Sequence, residues 1–165
     1  MSNVFFVYNV LPVDLILQIK NYVNKEQPEL TNHNGWDPKI VHDSARVDVF
    51  RLNDTPFNEH IINCYADYID LKKHPITHVN YYKWLPGSFI PFHNDGIYSF
   101  SSSIYLNESW ERDYGGLFLY ENGEDLKAYV PKYNSAVINN KNILHGTSIT
   151  SSTAPKRETI QIFFE

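Results

Sequence analysis

Residues 78–96, HVNYYKWLPGSFIPFHNDG, decide the fold class. Val79, Tyr81, Tyr82 and Trp84 are aromatic and β-branched types that suit a pleated, half-buried ribbon. Pro86-Gly87 then breaks the run, SFIPFH resumes it, and Asn94-Asp95-Gly96 ends it. The same alternation continues downstream. SFSSSIYL (99–106), GGLFLY (115–120), LKAYV (126–130), SAVINN (135–140) and RETIQIFF (157–164) are separated by turn signals at Gly115-Gly116, Asn122-Gly123 and Pro131. Short strands at close, regular spacing predict a sandwich or barrel, here a jelly-roll-like core over residues 78–165.

Upstream the pattern is mixed. NVFFVY (3–8) reads as a strand. Pro12 opens a helix that carries Leu15, Ile16, Ile19 and Val23 on one face. Residues 25–44 are polar and irregular and read as a loop, followed by a strand over Ala45–Arg51. A second helix is signalled by Thr55 as N-cap and Pro56 at the first helical position, with Phe57, Ile61, Ile62, Tyr65 and Ile69 on its face. Neither a repeat nor a linker divides the chain. The expectation is therefore one mainly β (α+β) domain over 1–165, in which the strand and helices of 1–77 buttress the outer face of the core.

Composition excludes several classes of function. The chain has 165 residues, 14 Lys+Arg against 19 Asp+Glu, and a formal net charge of −5, with an isoelectric point near 5.8. That balance argues against nucleic acid as a partner. No apolar run reaches the length of a membrane span, and MSNVFFVYNVLPVD lacks the basic start and small-residue cleavage site of a secretory signal. The reading is a soluble, cytoplasmic domain. A single cysteine, Cys64, leaves no disulfide framework and no thiolate cluster.

The densest chemistry lies at His93-Asn94-Asp95-Gly96. A His and an Asp two apart project to one side of an extended chain, so both can reach one ion. His145, fifty-two residues after His93 and directly before Gly146, is the candidate third ligand. Two imidazoles and one carboxylate on one face of an octahedron leave three positions open, the arrangement of non-haem iron(II) oxygenases. The competing reading is plain: His-x-Asp recurs by chance, and a His beside a turn commonly serves only as a hydrogen-bonding loop residue. The other five histidines (His33, His42, His60, His74 and His78) have no carboxylate at suitable spacing and read as surface or loop residues.

Arg157 stands twelve residues after His145, at the head of the apolar run TIQIFF. An arginine entering a buried strand is costly unless an anion meets it, and its planar fork suits a carboxylate. Taken alone, it serves equally as an edge arginine paired with Glu158. With the triad upstream, a dicarboxylate cosubstrate is the more economical partner.

At this point residues 80–164 resemble the iron(II)/2-oxoglutarate-dependent dioxygenases, in particular the prolyl-hydroxylase-like branch. The resemblance rests on YYKWLPGSFIPFHND, SSSIYLNESW, YGGLFLYE, VPKYNSAVINN, ILHG and RETIQIFF, in that order. It implies a double-stranded β-helix of the cupin-like jelly-roll type. His93, Asp95 and His145 would ligate Fe(II), and Arg157 and Tyr105 would hold the distal carboxylate of 2-oxoglutarate. Tyr82 would contact the cosubstrate, unless Trp84 on the same strand face takes that place. Asn80 and Tyr82 also match the Asn-x-Tyr of alkylation-repair dioxygenases, but RETIQIFF carries no second arginine. The implied activity uses O2, with ascorbate as reductant, to hydroxylate an unactivated C–H with release of succinate and CO2.

The implied substrate is a prolyl residue of a protein or peptide. The same chemistry on a small molecule or free amino acid is the first alternative, and a non-catalytic cupin-like metal-binding module is the second; such a module needs no buried arginine. Residues 25–44 and Tyr98–Ser102 are the segments expected to face substrate. Gly115-Gly116 reads as a turn in preference to a ligand contact, and Trp110 as core.

Overall fold

The computed structural model describes residues 4–31 and 44–165. Its elements are, in order, β1 (Val4–Tyr8), α1 (Val13–Val23), β2 (Leu30–Thr31), β3 (Val47–Arg51), α2 (Phe57–Tyr65), β4 (Ile76–Trp84), β5 (Ile90–His93), β6 (Phe100–Tyr105), a 3-10 turn (Arg112–Tyr114), β7 (Phe118–Asn122), β8 (Asp125–Tyr129), β9 (Ser135–Asn140), β10 (His145–Thr147) and β11 (Arg157–Phe164).

They form two antiparallel sheets. The larger has the order β1-β9-β6-β11-β4-β3-β2 and the smaller β5-β10-β7-β8. This is the expected double-stranded β-helix. Most neighbours are non-consecutive, so crossovers dominate the assembly; β2-β3-β4 and the tight β7–β8 hairpin, closed between Asn122 and Asp125, are the sequential pairings.

Alternation along the central strands gives the larger sheet two working faces. Val79 and Tyr81 of β4, Ile104 of β6, and Ile160, Ile162 and Phe164 of β11 share one buried cluster with the helices. That cluster takes Leu15, Ile16, Ile19 and Val23 from α1 and Ile61 and Tyr65 from α2. Burying each such side chain contributes about 1.5–3 kcal/mol, so the helices are held by their apolar stripes. The Tyr65 hydroxyl also meets Ser102 Oγ of β6 at 2.7 Å, one of the few polar ties between layers. The alternate residues, Asn80, Tyr82 and Trp84 of β4 and Arg157, Gln161 and Phe163 of β11, face the space between the sheets.

Several local expectations change. Thr55 does not cap α2: Pro56 takes the N-cap place, and the Thr55 hydroxyl donates to the Leu52 carbonyl at 2.7 Å. Ile62 is only half-buried, because Ile61 and Tyr65 already define the inward stripe. Leu30–Thr31 pairs with Asp48–Val49 inside the segment read as loop. Residues 32–43 of that segment lie outside the described residues, and with them His33 and His42. β10 was not anticipated, since three residues carry no periodicity; it exists through pairing with β5 on one side and β7 on the other. Trp110 is half-buried and not core, and its indole N–H donates to the Gly115 carbonyl at 2.9 Å. Among the described residues no helix is long and apolar enough to cross a membrane.

Candidate metal and carboxylate site

β5 and β10 pair antiparallel with His93 opposite His145, which brings together two residues far apart in the chain. Gly146 permits the approach, because a Cβ there would lie 2.8 Å from the Ile90 carbonyl oxygen. The imidazole rings sit 4.5 Å apart, and Phe118 stacks on His145 at 5.5 Å. Asp95, on the turn after β5, completes the group: Oδ1 is 3.7 Å from His93 Nε2 and Oδ2 is 3.5 Å from His145 Nε2. The three residues offer ligand atoms that all lie within 4.8 Å of one another.

The rings are oriented from behind. His93 Nδ1 lies 2.9 Å from the Pro91 carbonyl and His145 Nδ1 lies 2.9 Å from the Ile143 carbonyl. A carbonyl only accepts, so each Nδ1 carries the proton and each Nε2 turns its lone pair toward Asp95. Burial lowers the pKa of His145, an effect opposed by the charge of Asp95 and reinforced by His93. The His145 ring is thus held in its neutral, ligating form. Two imidazole nitrogens and one carboxylate oxygen, with Cys64 half-buried against the helix-side core, form a donor set that fits non-haem iron(II).

Arg157 opens β11 opposite Trp84 of β4 and is 5% exposed. Nη1 donates to the Gly116 carbonyl at 3.3 Å, while Nε is buried without a partner. The guanidinium lies 5.4 Å from the Trp84 ring and 5.7 Å from the Tyr105 ring. Among the described residues no carboxylate lies within ion-pair distance of it. Glu158, the alternative partner, is engaged on the other face with Lys20 Nζ at 2.8 Å and the Tyr81 hydroxyl at 2.8 Å. Burial works against the charge of Arg157, partly offset by Tyr105, yet a guanidinium stays protonated in proteins. A full positive charge is therefore buried with Nε unpaired, an arrangement whose chemistry suits an anion.

The triad and Arg157 line one cavity of about 700 Å³. Tyr105 and Tyr82 line it too, both almost fully buried, and burial pushes the Tyr105 phenol well above its ordinary value. Trp84 stands beside Tyr82 at 5.5 Å, and its indole N–H donates to Thr159 Oγ1 at 3.1 Å. Both β4 aromatics thus face the cavity, and it is Trp84 that lies against the guanidinium.

Sequence reasoning missed the part played by five residues. Gly116 supplies the carbonyl that holds Arg157, at a backbone φ of +61°. Gly115, at φ +67°, has no room for a Cβ, which would overlap the Ile149 carbonyl. The Gly pair is thus a turn, as expected, that also builds the arginine site. Ser101 and Asn139 both hydrogen-bond to Asp95 Oδ2. Ser101 lies in the stretch expected to face substrate and Asn139 in VPKYNSAVINN, but nothing local assigns either to Asp95; the pairing of β6 with β9 brings them together. His78, read as a surface residue, is exposed but lines the cavity rim, edge-on to Tyr98 at 6.0 Å. His60 is exposed on α2, and His74 Nδ1 contacts the Glu165 carbonyl at 3.2 Å.

No family model and no curated protein matches this sequence. Solved structures match its fold. A prolyl hydroxylase from Trichoplax adhaerens, in complex with a hypoxia inducible factor oxygen degradation domain peptide fragment, superposes with a TM-score of 0.75 at 14% identity, covering 99% of this chain and 84% of that one. A 2OG-Fe(II) oxygenase family oxidoreductase from Burkholderia pseudomallei gives 0.71 at 17% identity, with 99% and 84% covered. A viral collagen prolyl hydroxylase from Paramecium Bursaria Chlorella virus-1, as its 2OG complex, gives 0.71 at 12% identity, with 99% and 96% covered. The chain shares the fold of these oxygenases along nearly its whole length.

Proposed function

We propose that the chain is an Fe(II)- and 2-oxoglutarate-dependent dioxygenase that hydroxylates an unactivated C–H, with a prolyl residue of a protein or peptide as its substrate. The observation that carries this reading is the pairing, in one cavity, of a His-Asp-His ligand set with a buried arginine that has no anion. His93, Asp95 and His145 would hold the metal, and Arg157 with Tyr105 the distal carboxylate of the keto acid. When bound, iron and 2-oxoglutarate supply the oxidising chemistry, consuming O2 and releasing succinate and CO2.

The chain's own contribution is positional. The Pro91 and Ile143 carbonyls hold the Nδ1–H of each ring, so Nε2 is the nitrogen each imidazole presents to a cation. Arg157 offers a fork that a carboxylate can take bidentately, in a wall from which Trp84 and Tyr105 exclude water. Tyr105, held protonated by burial, is able to donate to the same carboxylate. A plain metal-binding barrel gains nothing from a buried guanidinium, which favours the keto-acid reading over that alternative. A peptide substrate is supported by the Trichoplax structure, whose protein carries a peptide fragment on the same fold.

The test is succinate formation from 2-oxoglutarate with Fe(II) and ascorbate, with peptides and free amino acids screened for oxygen incorporation by mass. His93→Ala and Asp95→Ala are each expected to abolish turnover. Undiminished succinate formation in both would sink the assignment.

A further inference from the structure

Asp95 is bound asymmetrically. Its Oδ2 accepts the hydroxyl of Ser101 and, at 3.3 Å, the amide Nδ2 of Asn139. Its Oδ1 has no such donor among the described residues and lies 3.7 Å from His93 Nε2, while Oδ2, besides its two donors, lies 3.5 Å from His145 Nε2. Ser101 and Asn139 are 1% and 3% exposed and are cross-strand partners on β6 and β9 of the larger sheet. Asp95 itself comes off β5 of the smaller sheet, so these two bonds tie the ligand turn across the interior. Ser101 Oγ also lies 3.1 Å from Asn139 Oδ1. The bond from Nδ2 to Asp95 orients the carboxamide, which leaves its oxygen on the serine side. The single hydroxyl proton goes to the charged acceptor, which forms the stronger bond.

A carboxylate has about four acceptor sites on its two oxygens. Two donors on Oδ2 leave Oδ1 as the oxygen directed at a cation. We propose that Ser101 and Asn139 are positioning residues that keep Asp95 a one-oxygen ligand; the proposal rests on reading His93, Asp95 and His145 as the metal site. The consequence is a matter of counting. One oxygen and two imidazoles occupy three of six octahedral positions and leave three open, whereas a two-oxygen carboxylate would leave two. The pair also compensates the buried charge of Asp95 before any cation arrives.

Calorimetry with Co(II) on the full chain tests this, together with the visible ligand-field spectrum of the cobalt protein. Ser101→Ala and Asn139→Ala are expected to weaken Co(II) binding about 10- to 100-fold, the usual loss for a residue that orients a ligand, and to alter the spectrum. Ser101→Thr, which keeps the hydroxyl, is expected to restore both. Circular dichroism checks that each variant is folded. If the wild type binds Co(II), His93→Ala abolishes binding, and both alanine variants keep wild-type affinity and spectrum, the positioning role is overturned while the metal site stands. If His93→Ala binds Co(II) as tightly as the wild type, the site reading fails and this proposal fails with it.

Discussion

Replacing Arg157 with methionine separates an anion site from a structural arginine, because the two readings predict opposite signs. In the free protein the guanidinium is 5% exposed, has one 3.3 Å hydrogen bond to Gly116, and leaves Nε unpaired. It is a desolvated charge with little return. Exchanging buried charge for apolar volume is commonly neutral or stabilising by about 1–4 kcal/mol. At this chain length 1 kcal/mol moves the melting temperature by roughly 2–4 °C. Arg157→Met is therefore expected to melt at or above the wild-type temperature when no ligand is present.

With 2-oxoglutarate the sign reverses. Truncating one partner of a buried charge pair costs about 2–5 kcal/mol, which at 1.4 kcal/mol per decade is roughly 30-fold to a few thousand-fold in affinity. So little solvent reaches Arg157 that the upper part of this range applies. Wild-type protein with Mn(II), at a keto-acid concentration 100 times its dissociation constant, gains about 2.7 kcal/mol, or roughly 5–10 °C. The variant is expected to gain none at the same concentration while keeping its Mn(II) affinity. Melting curves with and without ligand, plus calorimetry, read both quantities. An Arg157→Met protein that melts lower than wild type yet keeps the full ligand-induced shift would refute the anchor.

Three further outcomes follow from the same geometry. Gly115→Ala places a Cβ against the Ile149 carbonyl at a left-handed φ of +67°, so a loss of at least about 1–3 kcal/mol is expected in urea unfolding, with weaker 2-oxoglutarate binding as the arginine turn shifts. Asn134 sits at φ +52°, and its side chain both accepts from the Leu11 N–H at 2.9 Å and donates to the Leu11 carbonyl at 2.7 Å. Asn134→Ala leaves both buried groups unpaired and should cost about 2–5 kcal/mol, read as a fall in the urea midpoint. The pKa of His145 in the folded chain lies below its ordinary 6.5, so below pH 6.5 the unfolded chain binds a proton that the folded one refuses. The stability of the metal-free protein tied to His145 is thus full above pH 6.5 and is lost as the pH falls toward the folded value. His145→Gln should flatten that acid limb of the melting profile; an unchanged profile would contradict it.

Much of this was legible in the residues themselves. The strands SAVINN and RETIQIFF and the helix stripe of Leu15, Ile16, Ile19 and Val23 appear where their patterns put them. His93, Asp95, His145, Arg157, Tyr105 and Tyr82 all reach one cavity. The misreadings differ in cause. Thr55 and Trp110 bond near neighbours in the chain, the Leu52 and Gly115 carbonyls, through turns that residue type does not mark, whereas β10 depends on the edges of β5 and β7 far from it in the chain.

By itself the sequence determined what is local. Side-chain alternation has a period of two, turns need Gly, Pro, Asn or Asp, and a His-x-Asp step points two donors one way whatever surrounds it. What the tertiary structure decided is collective. The β5–β10 register sets His145 against His93, and the β6–β9 register sets Ser101 beside Asn139 beneath Asp95. Whether Arg157 pairs with Glu158 turned on where Glu158 points, and a strand's alternation sends that neighbour to Lys20 and Tyr81 on the opposite face. A charge acquires its meaning from what is buried with it, and burial is a property of the whole fold.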